Sequence, residues 1–187
     1  MTSAAEVLRR QWHDSGVRLH QRLIDMSDAE FFWEPAPSCW TVRQHPTLPD
    51  RWEIDYDWPP PDPSPVTTIA WRLVHIANGN WIYWEHAFGP GARMFPDLAV
   101  PGSADAARAY WYDSREPITS WLETATDEHL QQIRPSHLDQ PRSAGDVIMT
   151  LIDGQTHHGA EIALLRDLYP TWTSDSATRP RKTGDET

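Results

Sequence analysis

The prolines of this chain are concentrated between Pro35 and Pro65, and that stretch limits where long helices can form. Proline lacks a backbone N–H and clashes with the preceding helical turn, so a helix interior does not tolerate such a density of prolines. The surrounding segment, residues 27–66, is too aromatic for a disordered linker, since it includes Trp33, Trp40, Trp52, Tyr56 and Trp58. We therefore predict a long ordered connection, with a small hairpin around Trp52 to Trp58, that either has a function or only covers the core.

Outside this stretch, apolar residues recur at helical spacing in four long segments. Ser3 and Ser143 are expected to cap the first and last of these helices, and Pro170 is expected to end the last one. The predicted segments are Ser3 to Met26, about Val66 to Phe88, a helix from Ser103 that Pro117 kinks or splits, and Ser143 to Tyr169. The predicted fold class is therefore all-α, a four-helix bundle with a long Pro/Trp-rich crossover between helices 1 and 2.

Length and composition favour one globular domain, which we place at residues 1–172, followed by a polar tail at 173–187 that is expected to be disordered. The net charge of −11 argues against nucleic acid or an anionic membrane as a partner, because both require a basic surface. The single cysteine, Cys39, and the lack of a signal peptide predict a cytoplasmic protein. No apolar run approaches the roughly 20 residues that cross a bilayer.

Two polar residues interrupt the apolar stripe of the last predicted helix. Asp153 and His157 are four residues apart, so they share one helix face and can converge on one point. A carboxylate and an imidazole one turn apart suit a divalent metal, although a solvated polar face with an isolated histidine has the same pattern. His75 lies in the middle of the apolar run of the second helix, where a histidine is more often a hydrogen-bonded core residue.

Four stretches of the chain match the motifs of a known superfamily in order and spacing, although each motif is loose: DMSDAEFFWEPAPSCWTVRQ, TTIAWRLVHIANGNWIYWEH, AYWYDSREPITSWLETATDEHL and LIDGQTHHGAEIALLRDLYP. In these stretches the chain resembles the DinB-like superfamily, which includes thiol-dependent S-transferases and mycothiol-dependent maleylpyruvate isomerases. The resemblance covers about residues 4–170.

This resemblance implies a metal held by His75, Asp153 and His157. Asp153 stands where many members of the superfamily carry histidine and the isomerase-like members carry glutamate, so this chain departs from the pattern at that ligand. Two imidazoles favour zinc or nickel over magnesium. His158 is the reserve ligand, because a one-residue shift in register would exchange it for His157. Three ligands with an open position are typical of a catalytic metal.

The leading functional expectation is a transfer or isomerisation that uses a low-molecular-weight thiol as cosubstrate, held by the metal as thiolate. Two alternatives stay open: metal-assisted hydrolysis, and a non-catalytic, stress-related binding module with a weak or empty metal site. We expect a small-molecule substrate in a pocket formed by Trp40, Trp52, Trp58 and His158. The exposed aromatic residues of a helical bundle also suggest a homodimer.

Overall fold

Serine and threonine side chains begin the helices of this chain. In each case the side-chain oxygen accepts a hydrogen bond from the backbone N–H three residues later, which satisfies a donor that the first turn would leave unpaired. The predicted caps are confirmed: Ser3 Oγ lies 3.2 Å from the nitrogen of Glu6, and Ser143 Oγ lies 3.0 Å from that of Asp146. The remaining caps of this kind are Ser27, Thr68, Ser103 and Thr126.

The structure is a computed structural model that describes residues 2–138 and 140–178. Its helices are α1 (Ala4–Leu23), α2 (Asp28–Phe31), α3 (Ile69–Phe88), α4 (Ala104–Thr124), α5 (Asp127–Gln131) and α6 (Ala144–Thr178). Its strands are β1 (Val42–Gln44), β2 (Trp52–Ile54), β3 (Ile133–Arg134) and β4 (Arg142–Ser143), and a 3₁₀ turn covers Phe95–Asp97. The prediction of a mostly helical protein is confirmed.

The four long helices pack together around the core. Helix α3 contacts α4 and α6, and α1 contacts α6 and α4. One buried cluster includes Phe31, Leu73 and Ile162, and a second includes Ile118 and Ile148. The short α5 packs against the start of α6 and closes that end of the core.

The connection between α1 and α3 packs against the start of α3. Strands β1 and β2 pair antiparallel, with Val42 opposite Ile54, so the hairpin begins earlier in the chain than the predicted region Trp52 to Trp58. Trp40 exchanges backbone hydrogen bonds with the residues that precede α3, donating to the carbonyl of Val66 at 2.9 Å. The hairpin is thereby held beside the first turn of α3.

Two prolines lie inside helices of the structure, and one of them contradicts a sequence prediction. Pro117 lies within a single helix, α4, which is not split. Helix α6 continues through Pro170 to Thr178, so the predicted end at Tyr169 is wrong. Proline removes one helical donor, and the helix continues where the turns on both sides are maintained. Of the predicted tail 173–187, residues 173–178 belong to α6 and the others lie outside the described residues.

Within the part of the chain that the structure describes, none of the helices is long and apolar enough to cross a membrane.

A half-buried arginine, Arg115, links α1, α4 and α6. The Arg115 guanidinium carbon lies 4.0 Å from the ring centroid of Trp12 and 5.2 Å from that of Trp111. The same guanidinium donates to the carbonyl of Trp12 at 3.1 Å and to the Gln155 side chain. Burial lowers the pKa of Arg115 to about 10. Gly16 provides the space, because a Cβ at that position would lie 2.3 Å from the guanidinium.

We expect Gly16→Ala to lower the free energy of unfolding by about 1–3 kcal/mol, the usual cost of overpacking. Arg115 cannot move aside easily, because two indole rings and two hydrogen bonds hold it. The matched control is Gly154→Ala, since a Cβ there meets nothing within 4 Å and alanine favours the helix by roughly 0.5–1 kcal/mol. Urea unfolding measures both variants, and equal stabilities for Gly16→Ala and wild type would contradict this account.

Candidate functional site

The facing surfaces of α3 and α6 bring together the histidines that the sequence singled out. Helix α3 contributes Trp71, Arg72 and His75, whose spacing places them on neighbouring positions of one helix side. Helix α6 contributes His158 and Glu161 to the same contact. These polar side chains are half-buried, so they lie at the edge of the core.

His75 lies between two rings. Its imidazole stacks on the Trp71 indole with centroids 4.5 Å apart and packs edge-on against His158 at 4.9 Å. Burial, with smaller contributions from His158 and Arg72, lowers the pKa of His75 to about 4. The imidazole is therefore neutral near pH 7 and has a lone pair for a metal ion or a hydrogen-bond donor.

Three side chains of α6 form a group that could hold a metal. One ligand atom each from His157, His158 and Glu161 lies within 4.8 Å of the others. His158 Nδ1 is 2.8 Å from Glu161 Oε2, and His157 Nε2 is 3.4 Å from Glu161 Oε1. His157 is largely exposed while His158 is mostly buried, so the group lies at the surface end of the contact between α3 and α6.

Arg72 provides a positive charge beside this group. Its Nη1 forms an ion pair with Glu161 and lies 3.0 Å from His158 Nδ1. Burial lowers the pKa of Arg72, and the adjacent Glu161 carboxylate partly offsets that shift. Burial also lowers the pKa of His158. The hydrogen bond between His158 and Glu161 raises this pKa and so partly offsets the effect of burial. The carboxylate of Glu161 thus connects one arginine and two histidines.

The structure does not gather the three predicted metal ligands into one group. Asp153 is exposed on α6, and among the described residues the ligand group contains His157 but neither Asp153 nor His75. The predicted set therefore stays a prediction. Sequence reasoning missed Arg72 and Glu161. The signal for Glu161 was available, because it follows His157 by four residues and His158 by three.

A cavity of about 680 Å³ opens on the other side of His75. Its walls are largely apolar and come from the β2 strand and from the loop before α4: Trp52, Ile54, Phe95, Pro96, Leu98 and Val100. The indole of Trp52 stacks on Phe32 with centroids 5.6 Å apart and planes 19° apart. It also passes so close to Gly102 that a Cβ there would lie 2.0 Å from the ring. Trp52 is therefore a fixed, flat wall.

The other two tryptophans of the predicted pocket lie elsewhere. Trp40 packs on Trp71 and Tyr56, with centroids 5.9 and 6.1 Å apart, so it contacts the support of His75 and does not line the cavity. Trp58 is 82% exposed and does not line the cavity either. His158 contacts His75 from the α6 side. Of the four residues predicted to form the pocket, Trp52 is the one that lines this cavity together with His75.

We expect Trp40→Ala to lower the free energy of unfolding by about 1–3 kcal/mol, because a half-buried indole loses its contacts with Trp71 and Tyr56. The control is Trp58→Ala, which should change stability by less than about 0.5 kcal/mol, since its ring is solvent-exposed. Guanidinium chloride unfolding followed by circular dichroism compares the two. Similar losses in both variants would contradict the separate roles assigned here.

The family described as the DinB superfamily matches residues 53–162, a segment that contains the last two residues of β2, all of α3 and α4, and the ligand group of α6. The chain belongs to the DinB superfamily. No curated protein matches the chain.

Solved structures show the same fold. A DinB-like protein from Bacillus cereus superposes with a TM-score of 0.62 at 17% identity, over 91% of this chain and 95% of that chain. A conserved protein from Enterococcus faecalis superposes with a TM-score of 0.55 at 14% identity, over 90% of this chain and 98% of that chain. At these identities the likeness establishes the fold, and the chemistry has to be argued from the residues of this chain.

Proposed function

We propose that this protein is a metal-dependent enzyme of the DinB superfamily that transfers or isomerises an organic substrate with a low-molecular-weight thiol. The observation that carries the proposal is the position of His75, which lines the apolar cavity and packs against His158 of the ligand group. An organic substrate in the cavity would therefore lie next to the place where a metal and a thiol can bind. The scaffold we propose is a four-helix bundle with its crossover between α1 and α3.

The donor set of α6 fits a zinc-like ion. His157 and His158 offer imidazole nitrogens and Glu161 offers carboxylate oxygens, a combination that suits zinc or nickel better than magnesium. Arg72 binds the same Glu161 oxygen that lies beside His158, so a metal that uses this oxygen requires the guanidinium to turn away. Three protein ligands would leave a position open for a thiol or for water.

Each part of the site would have a distinct task. A bound divalent ion would lower the pKa of a coordinated thiol and so supply the thiolate nucleophile. The positive charge of Arg72, next to the ligand group, would favour an anionic cosubstrate there. The flat wall of Trp52 would bind the apolar body of the substrate, and the β1–β2 hairpin would reduce access of water.

Metal analysis of point variants distinguishes the two candidate ligand sets, which share His157. We expect His157→Ala and Glu161→Gln to lower zinc affinity by more than about tenfold, because each removes a ligand. Asp153→Asn, an exposed and nearly isosteric change on the same helix, should leave the affinity unchanged. Elemental analysis and competition with a zinc-binding dye provide the readout. Loss of zinc in Asp153→Asn with retention in Glu161→Gln would favour the set His75, Asp153 and His157 instead.

Turnover assays test the reaction class. With a zinc-loaded protein and an aryl halide such as chlorodinitrobenzene, we expect a thioether to form with a low-molecular-weight thiol. This turnover should fall at least tenfold in His157→Ala. Trp58→Ala is the matched control that should keep it, because Trp58 is exposed and does not line the cavity. Release of product in water without thiol would overturn the transferase in favour of a metal-dependent hydrolase.

One observation favours a second candidate function, a non-catalytic binding module. Arg72 already neutralises Glu161, so the ligand group is electrostatically satisfied by the protein itself. If purified protein holds no metal and turns over neither with thiols nor with water, the cavity is better explained as the binding site of such a module.

We further propose that the protein acts in the cytoplasm as a homodimer. Support for self-association comes from exposed apolar side chains one turn apart on α6, Leu164 and Leu168, which are 59% and 45% exposed. The net charge of −11 supports a small-molecule partner over nucleic acid or an anionic membrane, because both of these require a basic surface.

A further inference from the structure

The floor of the cavity carries a second polar residue besides His75. Asn78 follows His75 by three residues on α3, lines the same cavity and is 4% exposed. A buried carboxamide needs hydrogen-bond partners for its oxygen and for its nitrogen. The partners that this structure offers show what Asn78 presents to a ligand.

Tyr110 of α4 fixes the orientation of this carboxamide. The Tyr110 hydroxyl donates to Asn78 Oδ1 at 3.0 Å. Burial raises the pKa of Tyr110 to about 12, so the hydroxyl keeps its proton across the physiological range. Because a carboxamide oxygen can only accept a hydrogen bond, the hydroxyl proton points to Asn78, and the carboxamide oxygen is held toward Tyr110.

The nitrogen of Asn78 is then turned toward the cavity. Among the described residues, the Asn78 side chain makes one hydrogen bond, in which its oxygen accepts from Tyr110. Some side-chain nitrogen and oxygen atoms of the described residues are fully buried and lack a hydrogen-bond partner. The Asn78 nitrogen is not one of them. Its N–H groups are therefore available to an acceptor atom inside the cavity, next to the apolar wall of Trp52.

The charges around the cavity indicate what kind of acceptor fits. The charged residues that line it are Asp50, Arg51 and Glu53, so carboxylates outnumber the one arginine. Arg51 is engaged by Glu53 at 3.3 Å. An anionic ligand group would lose its hydration in this cavity without gaining an unpaired cation, whereas a neutral carbonyl needs only a hydrogen-bond donor.

We propose that Asn78 is a specificity-determining residue that donates a hydrogen bond to a neutral carbonyl oxygen of the substrate. The substrate class is an apolar, preferably aromatic, ketone, ester or amide whose body lies against Trp52. Tyr110 is the positioning residue that holds the carboxamide in the donating orientation. The inference rests on the proposed function only in taking the cavity as the substrate site.

The test compares three probes of similar shape by ligand-observed NMR titration: acetophenone, isopropylbenzene and benzoate. In the wild type, we expect acetophenone to bind about tenfold more tightly than either of the others, the difference that one hydrogen bond provides. Asn78→Leu should abolish this preference and leave isopropylbenzene binding unchanged or tighter. Asn78→Asp, which keeps the shape but replaces the donor by an acceptor, should also abolish it.

Tyr110→Phe should reduce the preference for acetophenone, because the carboxamide can then turn its oxygen to the cavity. Tyr112→Phe on the same helix is the matched control and should behave as wild type, since Tyr112 contacts His20 at the surface. Thermal unfolding establishes that each variant is folded. An unchanged acetophenone preference in both Asn78 variants, or tightest binding of benzoate, would overturn the proposal. Titrations of chelator-treated and zinc-loaded protein separate this result from the outcome of the metal experiments.

Discussion

The arrangement of the site depends on the ion pair that Arg72 makes with Glu161 across the contact between α3 and α6. Arg72 is mostly buried and Glu161 partly so; an unpaired charge at either position would be costly. The pair therefore fixes how α6 is turned relative to α3, and His158 is held beside His75 as a consequence. Trp71 completes the layer by stacking on the other face of His75.

His75 separates two chemically different environments. On the α6 side lie charged side chains and the group that could hold a metal, and on the hairpin side lies a mostly apolar cavity with Asn78 at its floor. The hairpin forms part of the cavity because its backbone bonds to the residues before α3 and because Trp71 donates its indole N–H to the carbonyl of Asp55 at 2.7 Å. Gly102 leaves room for the Trp52 ring, which a Cβ at position 102 would contact too closely.

The sequence indicated the regions of the site better than its individual residues. His75 and the segment from Asp153 to His158 were identified from spacing and from the family resemblance. Successive residues on a helix point about 100° apart, so a small rotation of α6 decides whether His157 or His158 faces α3. The structure turns His158 inward and leaves His157 and Asp153 exposed. The sequence pattern does not predict the rotation of α6, because this rotation results from the contacts of α6 with α3.

Local chemistry in the sequence determined the helices: capping side chains began them where expected, and apolar spacing defined their buried faces. The prolines of the long connection excluded a helix there, but Pro117 and Pro170 did not break theirs, because neighbouring turns kept the helices intact. Only the tertiary structure decided the cavity, the pairing of Arg72 with Glu161 and the orientation of Asn78. These features join residues far apart in the chain, and their free energy comes from packing and burial that no local pattern encodes.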